Sequence, residues 1–122
     1  FCRKMLQEQW TTVDYRKNTS IIGLLPKGQH KSIIAIGTYA QYEEKDDAAE
    51  IAFVVKEEFQ GMGIGSYLLK ILENIAKENG YTTFVATVLR ENSRMLNVFR
   101  KRYPDAEVTE QSDGEVTLSM KI

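Results

Sequence analysis

The sequence has little of what marks a secreted, membrane or metal-binding protein. It holds one cysteine, Cys2, and one histidine, His30, so an internal disulfide is excluded and no His/Cys cluster for a metal exists. No apolar run approaches the roughly 20 residues of a membrane-spanning helix, and no signal-peptide pattern is present. We expect a cytoplasmic protein without a metal, in which His30 lies at the surface and Cys2 is inert.

An excess of charge of one sign is also lacking. The 16 Lys and Arg residues are balanced by 17 Asp and Glu residues, for a formal net charge of -1. This balance provides no electrostatic reason to expect a nucleic acid or a membrane surface as partner. The length of 122 residues predicts a single domain, residues 1–122. Because the chain starts at Phe1 rather than Met, we expect it to be part of a longer one.

The spacing of the apolar residues predicts a domain of class α/β or α+β, with about six strands in a mixed sheet and two helices. Strands are predicted at Ser20–Leu25, Ser32–Ala40, Ala49–Val55 and Tyr81–Leu89, with a final pair marked by Ala106 and Val108 and by Val116 to Ile122. The first two would form a hairpin. The third and fourth flank an amphipathic helix that Gly80 ends, which predicts a parallel βαβ crossover. The predicted apolar face of this helix holds Ile64, Leu68, Ile71, Leu72 and Ile75, and its predicted solvent face holds Lys70, Glu73, Lys77 and Glu78.

Two further helical segments are predicted. Asn92 or Ser93 can cap a helix that Pro104 ends. Near the N-terminus, roughly helical spacing favours the end of a helix. The residues with this spacing are Met5, Leu6, Trp10 and Val13.

Three alternating glycines open the central helix, in the stretch "QGMGIG" from Gln60 to Gly65. A helix N-terminus carries unpaired N–H groups and a partial positive charge, and glycines before it let an anion reach the backbone. A dinucleotide fingerprint would need glycine where Ser66 stands, and no Gly-Lys-Ser/Thr triplet of a Walker loop follows. The stretch therefore indicates a site for a phosphate-bearing ligand; a turn with a purely structural role is the alternative.

The same stretch resembles the Q/R-x-x-G-x-G/A motif of the GCN5-related N-acetyltransferases, the GNAT superfamily. The resemblance covers nearly all of the chain, although the family's first strand and part of its first helix are expected to be missing. It implies a mostly antiparallel sheet with a parallel βαβ crossover around an acyl-CoA site. It also implies that the pyrophosphate of acetyl-CoA binds to a loop of six residues, which are Gln60, Gly61, Met62, Gly63, Ile64 and Gly65.

A finer resemblance lies in "AEIAFVVKEEFQGMGIG", "VDYRK" (Val13 to Lys17) and "VLRENSRML" (Val88 to Leu96). These stretches are similar to bacterial protein lysine acetyltransferases, which are often fused to an acyl-CoA-synthetase-like or cyclic-nucleotide-binding module. Members of that group acetylate a catalytic lysine of acyl-CoA synthetases. The resemblance therefore implies a protein lysine acceptor, such as that of an acyl-CoA synthetase.

Glu50 is the candidate general base. It stands in an otherwise apolar strand, on one face with Ala52 and Val54, where a buried carboxylate would need a partner or a task. The resemblance implies the catalytic role, because the family's lysine acetyltransferases carry their glutamate at the matching position. The structural alternative is a strand-end glutamate paired with a nearby Lys or Arg.

The resemblance implies that backbone groups of Phe53, Val54 and Val55 bind the pantetheine arm. It also implies that Asn92 contacts the coenzyme, and a simple helix cap is compatible with that role. All three strand residues suit an ordinary core equally well.

One position departs from the family. Phe99 stands where many members have a tyrosine that protonates the leaving thiolate, and Tyr103, near the helix end, is not expected to replace it. The basic run Arg100 to Arg102 suits either the 3′-phosphate of the coenzyme or the C-terminus of a helix.

The sequence therefore predicts an N-acetyltransferase that moves acetyl directly from acetyl-CoA to a primary amine, with a protein lysine as the preferred acceptor. A small-molecule amine acetyltransferase is the first alternative. The second is a non-catalytic acyl-CoA-sensing module, which the phenylalanine at position 99 leaves open.

Overall fold

A computed structural model describes residues 7–14, 18–27 and 30–122. They form a seven-stranded sheet and two α-helices. The strands are β1 (Gln7–Asp14), β2 (Asn18–Lys27), β3 (His30–Gln41), β4 (Ala48–Val55), β5 (Thr83–Leu89), β6 (Glu107–Gln111) and β7 (Glu115–Lys121). The helices are α1 (Ile64–Glu78) and α2 (Ser93–Arg102), and a short 3-10 turn spans Glu57–Phe59.

The strands lie in the order β1-β2-β3-β4-β5-β7-β6. Among the strands that the structure describes, only the β4–β5 pair is parallel, and α1 connects these two strands. Both the predicted β2–β3 hairpin and the predicted βαβ crossover are confirmed. A parallel pair needs such a crossover because its strands must enter the sheet from the same end.

The prediction of a helix near the N-terminus is wrong for the residues that the structure describes. Gln7–Asp14 form an edge strand, paired antiparallel with β2 through Trp10 and Ile21 among others. Cross-strand pairing overrides the weak helical spacing of these residues. Cys2, the turn at positions 28–29 and the exposure of the His30 side chain lie outside what the structure describes.

Both helices pack on the same face of the sheet. Gly37 of β3 lies under both Leu72 of α1 and Phe53 of β4, since a Cβ at this glycine would be 3.4 Å and 3.0 Å from their side chains. The Phe53 ring is in turn 6.1 Å from that of Phe99 in α2. The buried core therefore lies between this face and the two helices, while Glu50, Ala52 and Val54 on the opposite face of β4 are exposed.

The buried stripe of α1 differs from the predicted one. Its buried residues are Ile64, Leu68, Leu69, Leu72, Glu73 and Ala76. Glu73 was expected on the solvent side with Lys70 and Lys77, but it is only 8% exposed. The predicted stop at Gly80, which has a φ of 89°, is confirmed. Among the described residues, no helix combines the length and the apolar character needed to cross a membrane.

Candidate functional site

A cleft of about 580 Å³ separates the end of β4 from α2. The glycine-rich turn, Gln60 to Gly65, and the first turn of α1 line one end of the cleft, and one face of α2 lines the other side. The cleft therefore lies where the sequence predicts a phosphate-bearing ligand.

The glycines of the turn adopt a conformation that other residues rarely take. Gly61 and Gly63 have φ angles of 80° and 82°, in the left-handed region where a side chain would be strained. Gly63 is the N-cap of α1, and neither a capping side chain nor an acidic residue satisfies the first turn. The first N–H groups of the helix, which have no partner within it, can therefore receive an anion.

Gln60 has a structural contact of its own. Its Nε2 donates a hydrogen bond of 3.0 Å to the carbonyl oxygen of Val55, the last residue of β4. This bond ties the turn back to the end of the strand. The side-chain amide thus fixes the shape of the turn, and the backbone beyond it is what faces the cleft.

The cleft continues into a gap within the sheet. The β4–β5 ladder runs from Ala48 and Thr83 to Ile51 and Ala86 and ends there. Beyond it a second cavity of about 220 Å³ opens between the two strands. Backbone groups of β4 that face this gap lie outside the ladder and can pair with an extended ligand. Phe99, 1% exposed, lies at this second cavity and contributes no proton donor.

Glu50 lies one residue before the point where the ladder ends, paired in register with Val85. Its side chain is on the sheet face opposite the helices, next to Ala52 and to Val54, which is 68% exposed. Glu50 is therefore not buried, because no described element covers this face of the strand. The Glu50 carboxylate forms no ion pair or hydrogen bond with any described residue, so the structural alternative of a paired glutamate has no support.

Asn92 caps α2 and also lines both cavities. Its side-chain oxygen accepts a hydrogen bond of 3.2 Å from the backbone N–H of Met95. The predicted cap is thus confirmed. Further along the helix Asn97, Val98 and Lys101 line the cleft, together with Arg94 in the first turn. Of this wall, the sequence indicated Asn92 and the basic run that contains Lys101, but sequence reasoning missed the other three residues.

A carboxylate joins the two helices behind the cleft. Glu73 of α1 accepts hydrogen bonds from the Tyr103 hydroxyl at 2.5 Å and from Nη2 of Arg102 at 2.9 Å. Nζ of Lys77 lies 3.4 Å away. Burial alone would raise the pKa of Glu73, but the hydrogen bonds from Tyr103 and Arg102 outweigh it and hold the pKa below its ordinary value. Burial and the Glu73 carboxylate raise the pKa of Tyr103, so its proton is held in this cluster.

The sequence of the chain matches the profile of the Acetyltransferase (GNAT) family over residues 3–103. The chain belongs to this family.

Two acetyltransferases illustrate what the chain is similar to. Beta-lysine N(6)-acetyltransferase of Methanococcus maripaludis is 36% identical over 70 residues, which are 57% of this chain and 25% of that protein. Acetyltransferase Pat of Mycolicibacterium smegmatis is 30% identical over 95 residues, 78% of this chain and 28% of that protein. The chain thus matches about a quarter of the length of each of these relatives.

A solved structure has the same fold. The GNAT domain of S. lividans PAT superposes with a TM-score of 0.74 and 28% identity, over 92% of this chain and 65% of that one. The mixed GNAT sheet expected from the sequence is therefore confirmed.

In this GNAT domain, most of the residues predicted to hold the donor lie together. Those that line the main cleft are Phe53, Val54, Val55, Gln60, Gly61, Gly63, Ile64, Gly65 and Asn92. Met62 is 43% exposed and is not among them, and neither is Glu50. The predicted base thus lies outside the lining of the donor cleft, on the face of β4 that it shares with Val54.

Proposed function

We propose that this domain is an N-acetyltransferase that moves acetyl from acetyl-CoA directly to a primary amine, with a protein lysine as the preferred acceptor. The observation that carries the proposal is the continuity of the site. A bare helix N-terminus, a cleft and a gap between two parallel strands follow one another. They match in order the pyrophosphate, the pantetheine arm and the thioester of one ligand.

The donor would bind mainly to backbone. The N–H groups at the start of α1 suit the pyrophosphate, because the partial positive charge of a helix N-terminus favours anions. The pantetheine arm would lie along Phe53 to Val55, pairing with β4 as an added strand would. A backbone N–H in the gap is also suited to stabilise the oxyanion of the tetrahedral intermediate, because it is already oriented.

The acceptor would approach from the open face of the sheet, where Glu50 is exposed. A lysine amine of pKa about 10.4 is neutral in only roughly 1 of 2,500 molecules at pH 7. A general base that removes the proton, directly or through a water, therefore contributes strongly to the rate. Glu50 is suited to this task, because it lies on the face open to an acceptor and one residue before the β4–β5 gap.

The thiolate would leave without a dedicated acid. Phe99 has no proton to donate, and the hydroxyl of Tyr103 is held by Glu73 behind the cleft. A thiol of pKa about 8.5 is a tolerable leaving group. The departure from the family's tyrosine is therefore compatible with turnover.

The two relatives support different acceptors. Pat favours a protein acceptor, and it matches the larger part of this chain. The beta-lysine enzyme favours a small amine as the second candidate acceptor, since beta-lysine is itself a free amino acid. This enzyme has a higher sequence identity to the chain over its matched segment than Pat has.

Thiol release from acetyl-CoA tests the proposal. The domain would be assayed with lysine peptides, an intact acyl-CoA synthetase and a panel of small amines, beta-lysine included. Glu50→Gln should lower kcat by about 100-fold or more, in the range expected of a lost general base. The matched control is Glu107→Gln, which removes a carboxylate from an exposed position of β6 and should leave kcat unchanged.

Each outcome has a defined meaning. Turnover on protein lysine that collapses in the Glu50 variant supports both the acceptor and the base. Turnover confined to small amines would favour the second candidate. Coenzyme binding without turnover on any acceptor would contradict the enzymatic proposal and favour a sensing module.

A further inference from the structure

One wall of the cleft carries cations that the glycine-rich turn does not account for. Arg94 and Lys101 both line the cleft from α2. They are seven residues apart, which is two helical turns and about 10 Å along the axis. Both therefore lie on the same face of the helix.

The guanidinium of Arg94 lies over the glycine-rich turn. A Cβ at Gly61 would be 3.8 Å from Nη1 of Arg94 and 4.0 Å from its Cζ. Because Gly61 has no side chain, the cation and the backbone of the turn border the same space. An anion held by the turn would thus be within reach of a planar, two-pronged donor.

The position of Arg94 is unfavourable for the helix itself. It is the second residue of α2, and a cation in the first turn is opposed by the partial positive charge of the N-terminus. No acidic residue in that turn compensates it. Within the described part of the chain, the Arg94 guanidinium has no hydrogen bond or ion pair. A bound anion would remove this repulsion.

The three basic residues at the end of α2 have separate environments. Arg102 is paired with Glu73, and Arg100 is exposed and does not line the cleft. Lys101 lines the cleft and has no acidic partner among the residues described. Of this run, Lys101 is therefore the cation available to a ligand in the cleft.

We propose that Arg94 and Lys101 form a two-point cationic wall for the donor, in which Arg94 binds the pyrophosphate and Lys101 binds the ribose 3′-phosphate. The inference rests on the proposed function, because it takes acetyl-CoA as the ligand. The donor carries about four negative charges, about two of them on the 3′-phosphate. The start of α1 neutralises only a fraction of them. The two side chains supply the missing charge at two separate points.

Titration calorimetry with CoA and with 3′-dephospho-CoA tests this wall. Arg94→Gln should weaken the binding of both ligands by about tenfold or more, as expected for a lost charge-assisted pair. Lys101→Gln should weaken the binding of CoA by about fivefold and the binding of 3′-dephospho-CoA by less than about twofold. The reason is that only CoA carries the phosphate that Lys101 would contact. Arg100→Gln is the matched control and should change neither affinity by more than about twofold.

Circular dichroism verifies that each variant is folded. Arg94→Lys serves as the second variant, since it keeps the charge without the two-pronged geometry and should bind between wild type and Arg94→Gln. An Arg94→Gln affinity equal to that of the Arg100 control overturns the pyrophosphate contact. Equal losses for the two ligands in Lys101→Gln overturn the 3′-phosphate contact. If the folded wild type binds neither ligand, the proposed function itself fails.

Discussion

The cluster around Glu73 should be a main source of stability for the pair of helices. Tyr103→Phe deletes the hydroxyl that donates to Glu73 at 2.5 Å and leaves the ring in place. Tyr103 and Glu73 are each 8% exposed, so water cannot replace the lost bond. A hydrogen bond to a charged group contributes roughly 1.5–3 kcal/mol. We expect a loss of about 2 kcal/mol in the free energy of unfolding and a fall in Tm of roughly 6 to 10 °C.

The effect should depend on pH in a defined direction. The folded-state pKa of Glu73 is below its ordinary value of 4.5. The stabilisation from its charged form is therefore fully present above that value and is lost as the pH falls through the folded-state pKa. Removing the Tyr103 hydroxyl brings the pKa of Glu73 back towards 4.5. The difference between wild type and variant should be constant above the ordinary value and shrink below it.

Urea unfolding followed by circular dichroism measures both effects. Tyr42→Phe is the matched control, because it deletes a hydroxyl that donates to Glu44 at 3.2 Å on the exposed surface. The control should change the free energy of unfolding far less than Tyr103→Phe does, because water replaces a bond lost at the surface. If Tyr103→Phe costs no more than the control, or if its cost is the same in acid as at neutral pH, the reasoning about this cluster is refuted.

Two glycine substitutions test the turn and the strand beneath the helices. Gly63→Ala places a side chain at a φ of 82°, which should cost about 1–2 kcal/mol and, because the turn must shift, raise the Kd for CoA in calorimetry. Gly37→Ala places a Cβ 3.0 Å from ring atoms of Phe53, and this close contact should lower the free energy of unfolding in urea by about 1–3 kcal/mol. The substitution should also weaken CoA binding, because Phe53 lines the cleft. Gly114→Ala, where a Cβ meets nothing within 4 Å, is the control for both; a cost equal to that of the control would contradict either argument.

The segment from β4 to β5 could be predicted from the sequence because its information is local. An apolar run, alternating glycines, an amphipathic helix and a β-branched run follow one another without a break, and Ala48–Val55 was predicted to within one residue. Strand β1 could not be predicted in this way. Its apolar residues fit a weak helical spacing, and only pairing with β2 makes the segment a strand.

The role of Glu73 was also beyond local reasoning. Its partners Arg102 and Tyr103 are about thirty residues away along the chain, and the pattern around it is that of a solvated helix face. A similar limit applied to Arg94. The helical period from the cap at Asn92 places it on one face with Lys101, but no pattern in the sequence shows that this face meets the glycine-rich turn.

If the proposed function holds, different residues bind the donor and activate the acceptor. The cations and the backbone groups that suit the donor lie at the carboxyl end of β4 and on the helix side of the sheet. Glu50 lies on the other face, and the gap beyond Ile51 and Ala86 is the passage between them. A change at Arg94 should therefore appear in donor affinity, and a change at Glu50 in turnover at saturating donor. On the proposed function acetyl would move only across this gap, so the transfer would be direct and would need no covalent intermediate.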